Sequence, residues 1–382
     1  MAAAKSLRIS AMWIVFALLL AGIPTASADD PVLTSKDHSY RVVTLADGLD
    51  RPWGMAFLPD GEGILITEKT GKVRLYHDGR LRPGAVRGAP PSVVWGQGGL
   101  LDIALHPDFK TNRWVYFTYA GRGRGGASTE LARARFTGRA FEDLEPLFQT
   151  APKTRGGRHF GSRIVFDRSG HLFMTYGDRG DRHKAQDLSE HQGSVIRLND
   201  DGRLPADNPF VGRAGTRPEI YSWGHRNPQG ATLHPETGAV WTHEHGPQGG
   251  DEINIIRRGA NYGWPKITYG EEYGGGAVSE HTALPGLEQP LLHWTPSIAP
   301  SGMAFYTGDK FPKWKGNLFV GALVLRHLRR VVLDGEKVVV QERLLGDLDE
   351  RIRDVENGPD GYLYVLTDSS DGRLLRLEPV EG

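Results

Sequence analysis

Cysteine is absent from this chain of 382 residues. Its absence excludes disulfides, thiolate zinc sites, iron–sulfur clusters and a cysteine nucleophile. A net charge is missing too, because 46 lysines and arginines are matched by 46 aspartates and glutamates. Without an overall basic field, no general binding to nucleic acid or to a membrane surface is expected. No convincing long amphipathic helix is visible, which weighs against a TIM barrel or a Rossmann fold.

Long hydrophobic runs are scarce, and the one notable run lies near the N-terminus. Met12–Ala21 is apolar, follows Lys5 and Arg8, and is too short to span a bilayer as a stable helix. An Ala-x-Ala pattern of the kind that signal peptidase cleaves ends at Ala28. We therefore predict a signal peptide over residues 1–28 and a periplasmic or secreted protein with no stable membrane span. An uncleaved membrane anchor is the alternative.

Glycine and proline, by contrast, are plentiful, and the 50 glycines and 24 prolines indicate many turns. Six segments share one pattern, in which an apolar run, a polar turn and an alternating apolar run follow one another. These segments are Trp53–Tyr76, Leu100–Tyr119, Ser162–Gly180, Asn227–Gly246, Ser301–Leu323 and Arg353–Leu377. One such unit cannot bury both faces of its sheet, whereas a ring of units can. We therefore predict an all-β fold, a single six-bladed β-propeller over residues 29–382, with a pair of β-sandwiches as the alternative.

A histidine between glycines and arginines is the first candidate for chemistry. His159 lies in the segment Arg155–Arg163 (RGGRHFGSR), directly before a strand-like run. A neutral imidazole is a suitable general base near pH 7, and neighbouring cations would keep it deprotonated. A loop histidine is more often a surface residue, so this assignment depends on the other clusters.

Amide and guanidinium groups form the next candidates. Three glycines around Gln97 allow the backbone to approach a ligand closely. Arg226 offers planar donors for a carboxylate or a quinone oxygen, and Asn227 adds amide groups. Arg351 and Arg353, two apart in a strand, would share one face and suit a polyanionic ligand. The plainer interpretations are a tight turn at Gln97 and surface arginines in ion pairs.

Metal ligands are the last candidates. His243 and His245 would share a strand face and could bind zinc, but no third nitrogen ligand is evident. The backbone carbonyls at Gly246 and Pro247 and the carboxylate of Glu252 suit calcium better, because calcium prefers hard oxygen ligands.

In their joint order, these motifs resemble the glucose/sorbosone dehydrogenase family, which includes soluble aldose sugar dehydrogenases related to soluble quinoprotein glucose dehydrogenase. The resemblance covers nearly the whole mature chain. The motifs are GQGGLLDIALHPDF (Gly96–Phe109), RHFGSRIVFD (Arg158–Asp167), GHRNPQG (Gly224–Gly230), EHGPQGGDEIN (Glu244–Asn254) and NYGWP (Asn261–Pro265). The resemblance implies a six-bladed propeller that binds pyrroloquinoline quinone (PQQ) and calcium, and that oxidises the C1 hydroxyl of aldoses to lactones.

The resemblance also implies roles for individual residues. His159 corresponds to the general base that takes the sugar hydroxyl proton. The implied PQQ contacts are Gln97, Arg226, Asn227, Tyr273, Ala322, Arg351 and Arg353. The carbonyls of Gly246 and Pro247 match those that hold the calcium bridging to PQQ, and Glu252 and Tyr262 resemble ligands of a second, structural calcium.

This chain departs from the glucose enzyme at several positions. Arg158 precedes the base where that enzyme has an aspartate, and its lysine contact has no counterpart near 322–324. A further glutamine contact of that enzyme falls near His183. These differences favour the broad-specificity aldose branch. The expected partners are an aldose substrate and an electron acceptor that the sequence does not identify.

Two other functions stay open at this point. One is a calcium-dependent lactone hydrolase on a six-bladed propeller, which would need several carboxylate ligands at the central channel where this chain offers arginines. The other is a non-catalytic binding propeller. The oligomeric state is open as well, with a monomer as the working expectation.

Overall fold

The computed structural model describes residues 31–380, so the predicted signal peptide lies outside the described residues. Within this range the strands form six antiparallel sheets. In chain order the strands are β1 (Leu33–Thr34), β2 (Ser39–Leu49), β3 (Pro52–Leu58), β4 (Gly63–Glu68), β5 (Lys72–His77), β6 (Arg80–Leu81), β7 (Leu100–Leu105), β8 (Trp114–Gly123), β9 (Gly126–Phe136), β10 (Phe141–Gln149), β11 (Ile164–Phe166), β12 (Leu172–Tyr176), β13 (Ser194–Leu198), β14 (Ile220–Trp223), β15 (Pro228–Leu233), β16 (Val240–Glu244), β17 (Asp251–Ile255), β18 (Leu292–Trp294), β19 (Pro300–Phe305), β20 (Leu318–Ala322), β21 (His327–Asp334), β22 (Lys337–Leu344), β23 (Ile352–Asn357), β24 (Leu363–Thr367) and β25 (Gly372–Pro379).

Each sheet is one blade. Blades 1 to 5 consist of β3–β6, β7–β10, β11–β14, β15–β18 and β19–β22, and blade 6 consists of β23–β25 together with β2 and β1. Helical structure in the described range is limited to short turns, which are α1 (Phe109–Asn112) and the 3-10 turns Pro59–Gly61, Arg182–Gln186, Pro312–Trp314 and Gly346–Leu348. No helix between residues 31 and 380 has the length and apolar character needed to cross a membrane.

The blades form a closed ring, because each innermost strand contacts the innermost strands of both neighbouring blades. The predicted all-β, six-bladed β-propeller is therefore confirmed. Each predicted repeat segment contains the two innermost strands of one blade. Outer strands were harder to predict because they are partly exposed: in β22, exposed and half-buried residues alternate almost to its end.

Blade 6 joins the two ends of the described chain. β2 pairs antiparallel with β25, with Tyr40 opposite Pro379 and Leu49 opposite Gly372. This pairing completes the sheet of blade 6 and holds the ring closed. The repeat pattern does not predict it, because β2 is separated from its partner by almost the whole sequence.

Hydrophobic side chains fill the spaces between neighbouring blades. One core combines Leu58 and Leu65 of blade 1 with Phe117 and Phe136 of blade 2. Burying such aromatic and branched side chains is the dominant favourable term in folding. Each blade is therefore stable only against its neighbours.

A hydrogen bond also joins the inner part of each blade to the next blade. The six bonds run from Thr67 Oγ1 to Leu101 O (2.5 Å), from Thr118 Oγ1 to Ser162 O (2.6 Å), from Thr175 Oγ1 to Pro228 O (2.8 Å), from His245 Nε2 to Pro300 O (2.6 Å), from Ser301 Oγ to Arg353 O (2.7 Å) and from Met55 N to Asp354 Oδ2 (3.1 Å). These bonds satisfy polar groups that the ring would otherwise bury without partners.

We expect Thr118→Val to lower the free energy of unfolding by about 1–3 kcal/mol, because two buried groups lose their partner. The Thr118 hydroxyl accepts from the Asp102 N–H over 3.1 Å and donates to the Ser162 carbonyl. Chemical denaturation measures the change. Thr111→Val is the control, since Thr111 is exposed and such surface changes usually stay within about 0.5 kcal/mol. Equal stability of both variants would contradict this role of Thr118.

Candidate active site

The inner strands of the ring begin at one end of the propeller, which we call the front face. In an antiparallel pair, the residue before the inner strand lies beside the residue after the second strand. Each blade therefore brings two chain segments to the front face. A cavity of about 490 Å³ opens there, and its charged and amide lining residues are Arg51, Lys69, Gln97, Gln229, Arg351, Arg353 and Asp368.

His159 precedes β11 on the front face and has a left-handed backbone with a φ of 56°. Its Nδ1 lies 2.6 Å from Asp178 Oδ1, and its backbone N–H donates to Gln97 Oε1 over 2.6 Å. Because a carboxylate accepts the Nδ1 proton, Nε2 keeps a free lone pair. His159 is 7% exposed, so it is not a surface histidine.

Asp178 fixes the orientation of this imidazole. Its Oδ1 also accepts from the Gly180 N–H over 2.7 Å, and its Oδ2 accepts from the Trp264 indole N–H over 2.8 Å. Burial opposes the negative charge of Asp178, but the interaction with His159, the hydrogen bond from the Gly180 N–H and the charge of Arg226 together hold the pKa of Asp178 below its usual range. Asp178 is therefore ionised at neutral pH.

Burial lowers the pKa of His159 below its usual range. The hydrogen bond and charge of Asp178 act in the opposite direction, and Arg226 and Arg158 add to the lowering. The imidazole is therefore neutral near pH 7, as a general base must be.

Cations surround the front-face cavity. Arg51, Lys69, Arg351 and Arg353 line it, together with the single acidic residue Asp368. Asp368 accepts from Arg351 over 2.9 Å and from Arg353 over 3.0 Å. Because Arg51 also pairs with Asp50 over 3.1 Å, the four cations and the two carboxylates leave two positive charges in excess. An anionic ligand with several carboxylates would neutralise them.

Two buried donors have no hydrogen-bond partner among the described residues, and these are Nε of Arg353, which lines the cavity, and Nδ2 of Asn227, which follows Arg226. The Asn227 Oδ1 accepts from the Gly161 N–H over 3.2 Å, so only its amide nitrogen is left without a partner. Buried donors without a partner are costly. A ligand with oxygen acceptors would satisfy both.

Arg226 connects this region to His159. Its guanidinium donates to the carbonyls of His245 over 3.0 Å and of Gly246 over 3.3 Å. It also lies 5.4 Å from the ring centre of Trp264, the residue that donates to Asp178. Arg226 therefore occupies the same cluster as the candidate base.

The histidines considered for zinc do not form a metal site. His245 Nε2 donates to Pro300 O, and burial lowers its pKa to about 3. His243 is fully buried. Between residues 31 and 380, no group of three or more His, Cys, Asp or Glu side chains could hold a metal ion.

The positions considered for calcium lie in the β16–β17 region. The Pro247 carbonyl accepts from the Glu271 N–H over 2.9 Å, and the Gly246 carbonyl faces Arg226. A small void of about 10 Å³ is lined by residues that include Glu252 and Tyr262.

Glu252 lacks a cationic partner within the described part of the chain. Burial and the charge of Glu244 raise the pKa of Glu252 well above its usual range. Its carboxylate accepts only from Asn254 Nδ2, over 3.2 Å. Glu252 is thus a carboxyl group in this void without a counter-charge among the described residues, and calcium prefers hard oxygen ligands of this kind.

The last two predicted PQQ contacts, Tyr273 and Ala322, differ in solvent exposure. Tyr273 is 68% exposed and lies in the loop between β17 and β18. Ala322 ends β20 and is fully buried. The next residues of the chain, Leu323 and Val324, line the cavity.

The sequence did not reveal Lys69, Asp178 or Asp368. Each of them follows the second strand of its blade, β4, β12 or β24. Their position in the sequence was nevertheless a usable signal, because the end of the second strand in a blade must lie beside the start of its inner strand. Applied to each repeat segment, this rule would have predicted all three residues on the front face.

The fold and the site together define a class of protein: a propeller with a neutral histidine–aspartate pair beside a cationic cavity. The profile of the glucose/sorbosone dehydrogenase family matches residues 49–376. The chain belongs to this family, and the predicted resemblance is confirmed. The protein is therefore an enzyme of an oxidoreductase family.

Individual relatives agree with this assignment. The aldose sugar dehydrogenase YliI of Escherichia coli is 46% identical over 346 residues, which are 89% of this chain and 93% of YliI. The apo-form structure of the soluble aldose sugar dehydrogenase from Escherichia coli has a TM-score of 0.87 and 45% identity, covering 89% of this chain and 100% of that one. The PQQ-bound aldose sugar dehydrogenase of Streptomyces coelicolor has a TM-score of 0.72 and 29% identity, covering 89% and 98%.

We expect Asp178→Asn to lower the pKa of His159 further, because the hydrogen bond to an anion and the negative charge both raise it in the unaltered protein. Nuclear magnetic resonance titration of the His159 ring, without any added ligand, measures this shift. Asp181→Asn is the control, because Asp181 is exposed and three residues away. An unchanged His159 pKa in Asp178→Asn would contradict the proposed pairing.

Proposed function

We propose that this enzyme oxidises aldose sugars at the C1 hydroxyl to lactones, and that it depends on PQQ and calcium. The observation that supports this most directly is the excess of positive charge in the cavity, beside a neutral His159. PQQ carries three carboxylates, and the relatives include a PQQ-bound structure and an enzyme named for aldose sugars. The signal peptide predicted for residues 1–28 would direct the enzyme to the periplasm.

The cavity residues suit PQQ by charge and by donor type. Arg351 and Arg353 would bind carboxylates, and the unpartnered Nε of Arg353 is available for this. Arg226 and Asn227 would donate to quinone oxygens, and Gln97 would contact the ring system. We also propose Tyr273 and the backbone at Ala322 as contacts at the edge of this site.

His159 acts as the general base. Its Nε2 takes the proton from the sugar hydroxyl, since Nδ1 is held by Asp178. The negative charge of Asp178 stabilises the imidazolium that forms. Arg226, close to this pair, stabilises negative charge that develops at the reacting oxygens. When bound, PQQ supplies the acceptor for the hydride that leaves C1.

Calcium would be held mainly by oxygens of the β16–β17 region. The carbonyls of Gly246 and Pro247 would hold the ion next to PQQ, and Glu252 with Tyr262 would hold a second, structural ion. The carboxyl group of Glu252, which has no cationic partner among the described residues, supports the second site. At the first site, a cation would polarise the adjacent oxygens.

Purified protein reconstituted with PQQ and calcium should reduce a redox dye when an aldose is added, because both halves of the reaction are then present. Protein without PQQ should not, and a chelator of calcium should lower the rate. Dye reduction followed by absorbance measures turnover. Failure with every aldose tested would overturn the proposal, and lactone hydrolysis without PQQ would favour a calcium-dependent lactone hydrolase.

His159→Ala should bind PQQ but lose about 10²–10⁴-fold in turnover, which is what general-base catalysis contributes. PQQ affinity is measured by calorimetry and turnover by the dye assay. Arg351→Ala is the complementary variant, and it should weaken PQQ binding because it removes a cation from the cavity. Near-normal turnover of His159→Ala would remove this residue from the mechanism.

A further inference from the structure

The proposed function leaves a requirement that this chain does not meet by itself. Oxidising one sugar releases two electrons and two protons, and the electrons must pass to an acceptor. The chain has no cysteine, so it has no thioether-linked haem to receive them. The inference below rests on the proposed function, because it concerns the route by which the electrons leave.

The acceptor must approach from the front face. Below the cavity, Arg163 of blade 3 crosses the centre of the ring, with its guanidinium 2.9 Å from Asp102 of blade 2 and 2.8 Å from Asp354 of blade 6. It also donates to the Gln229 carbonyl of blade 4 over 2.9 Å. These bonds close the channel beneath the site.

Four exposed arginines lie on the front face beside His159 and have no ion-pair partner in the described part of the chain. We call Arg122, Arg124, Arg155 and Arg158 the arginine patch; all four are exposed. Other arginines of the described chain, such as Arg113, form bidentate ion pairs. In contrast, the guanidinium groups of the patch make no hydrogen bond and no ion pair with any residue between 31 and 380.

The patch is one continuous surface. Arg122 and Arg124 lie at the tip of the β8–β9 hairpin, and the backbone of Ala127 in this hairpin pairs with Thr154, which precedes Arg155. The ring of Trp95 connects the two parts: Arg122 lies 5.8 Å from its centre. A Cβ at Gly157, next to Arg158, would lie 3.2 Å from that ring.

Acidic residues nearby do not neutralise the patch. Glu130 pairs with Lys153, and the buried Asp178 is offset by the positive charge of the neighbouring Arg179. Asp181, which is exposed, borders the patch close to Arg158. Four arginines and this one acid leave a local excess of three positive charges on a protein with no net charge.

We infer that the arginine patch docks an acidic protein that carries one electron at a time and collects the electrons of the reduced cofactor. None of the four arginines lines the cavity, and all four are exposed at the surface, where a partner protein can reach them. Trp95 and the 59% exposed Val94 add apolar area. Arginine and tryptophan are typical of contact surfaces, and opposite charge accelerates association of transient complexes.

The first test measures docking without PQQ, so that it does not depend on turnover. An acidic and a basic c-type cytochrome of similar size are the probes, and binding is measured by surface plasmon resonance at low ionic strength. The acidic cytochrome should bind and the basic one should not, and salt should weaken the complex. The triple variant Arg122→Gln/Arg124→Gln/Arg155→Gln should bind the acidic cytochrome about ten-fold more weakly or worse.

A matched control comes from the opposite end of the propeller. Arg80, Arg87 and Arg139 are exposed arginines, and they too form no ion pair with another described residue. Arg80→Gln/Arg87→Gln/Arg139→Gln changes the net charge by the same amount and should leave binding unchanged. Equal binding by the two triple variants, or tight binding of the basic cytochrome, would overturn the inference.

The second test uses the PQQ-loaded enzyme. Electron transfer to the acidic cytochrome, or to ferricyanide, should slow about ten-fold in the patch variant, whereas transfer to the cation hexaammineruthenium(III) should not slow. If the patch variant instead raises KM only for aldoses that carry a carboxylate, the ligand is an anionic sugar and the inference is wrong. If docking behaves as expected but no sugar is oxidised, the proposed function fails while the docking surface stands.

Discussion

Each blade of this protein can bury its faces only against the blades on either side, and this constraint governs the rest of the structure. The ring must close, and the pairing of β2 with β25 closes it. Hydrogen bonds from one blade to the next then satisfy the polar groups near the channel. The site depends on this closure, since its residues come from all six blades.

Closure also explains how a neutral chain maintains a strongly cationic cavity. The residues that line it are far apart in sequence, and only the ring brings Lys69 of blade 1 close to Arg353 of blade 6. Placing several cations together around one cavity is unfavourable without a counter-charge. Asp368 supplies one such charge, and a tricarboxylate ligand would supply the others. The cavity is thus stabilised by the molecule that we propose it binds.

The fold was predictable because the inner strands repeat one pattern, which only a ring of sheets accommodates. Residues such as His159 and Arg226 stood out because glycines and polar groups surround them in sequence. Asp178 did not, because a single aspartate after a strand is common, and its partner is established by strand pairing. The closing strand β2 and the shared carboxylate of Asp368 follow from three-dimensional proximity alone.

The ends of the described chain lie away from the cavity. Leu49 pairs with Gly372 near the front face, so Tyr40 and Pro379, at the other ends of the same strands, lie toward the back of the propeller. A C-terminal tether to a solid support would therefore leave the mouth of the cavity pointing outward, open to sugar and to diffusing redox carriers. The same tether would hold the reactive centre a full strand length from a conducting surface. This attachment would therefore be unsuitable for direct electron transfer to an electrode.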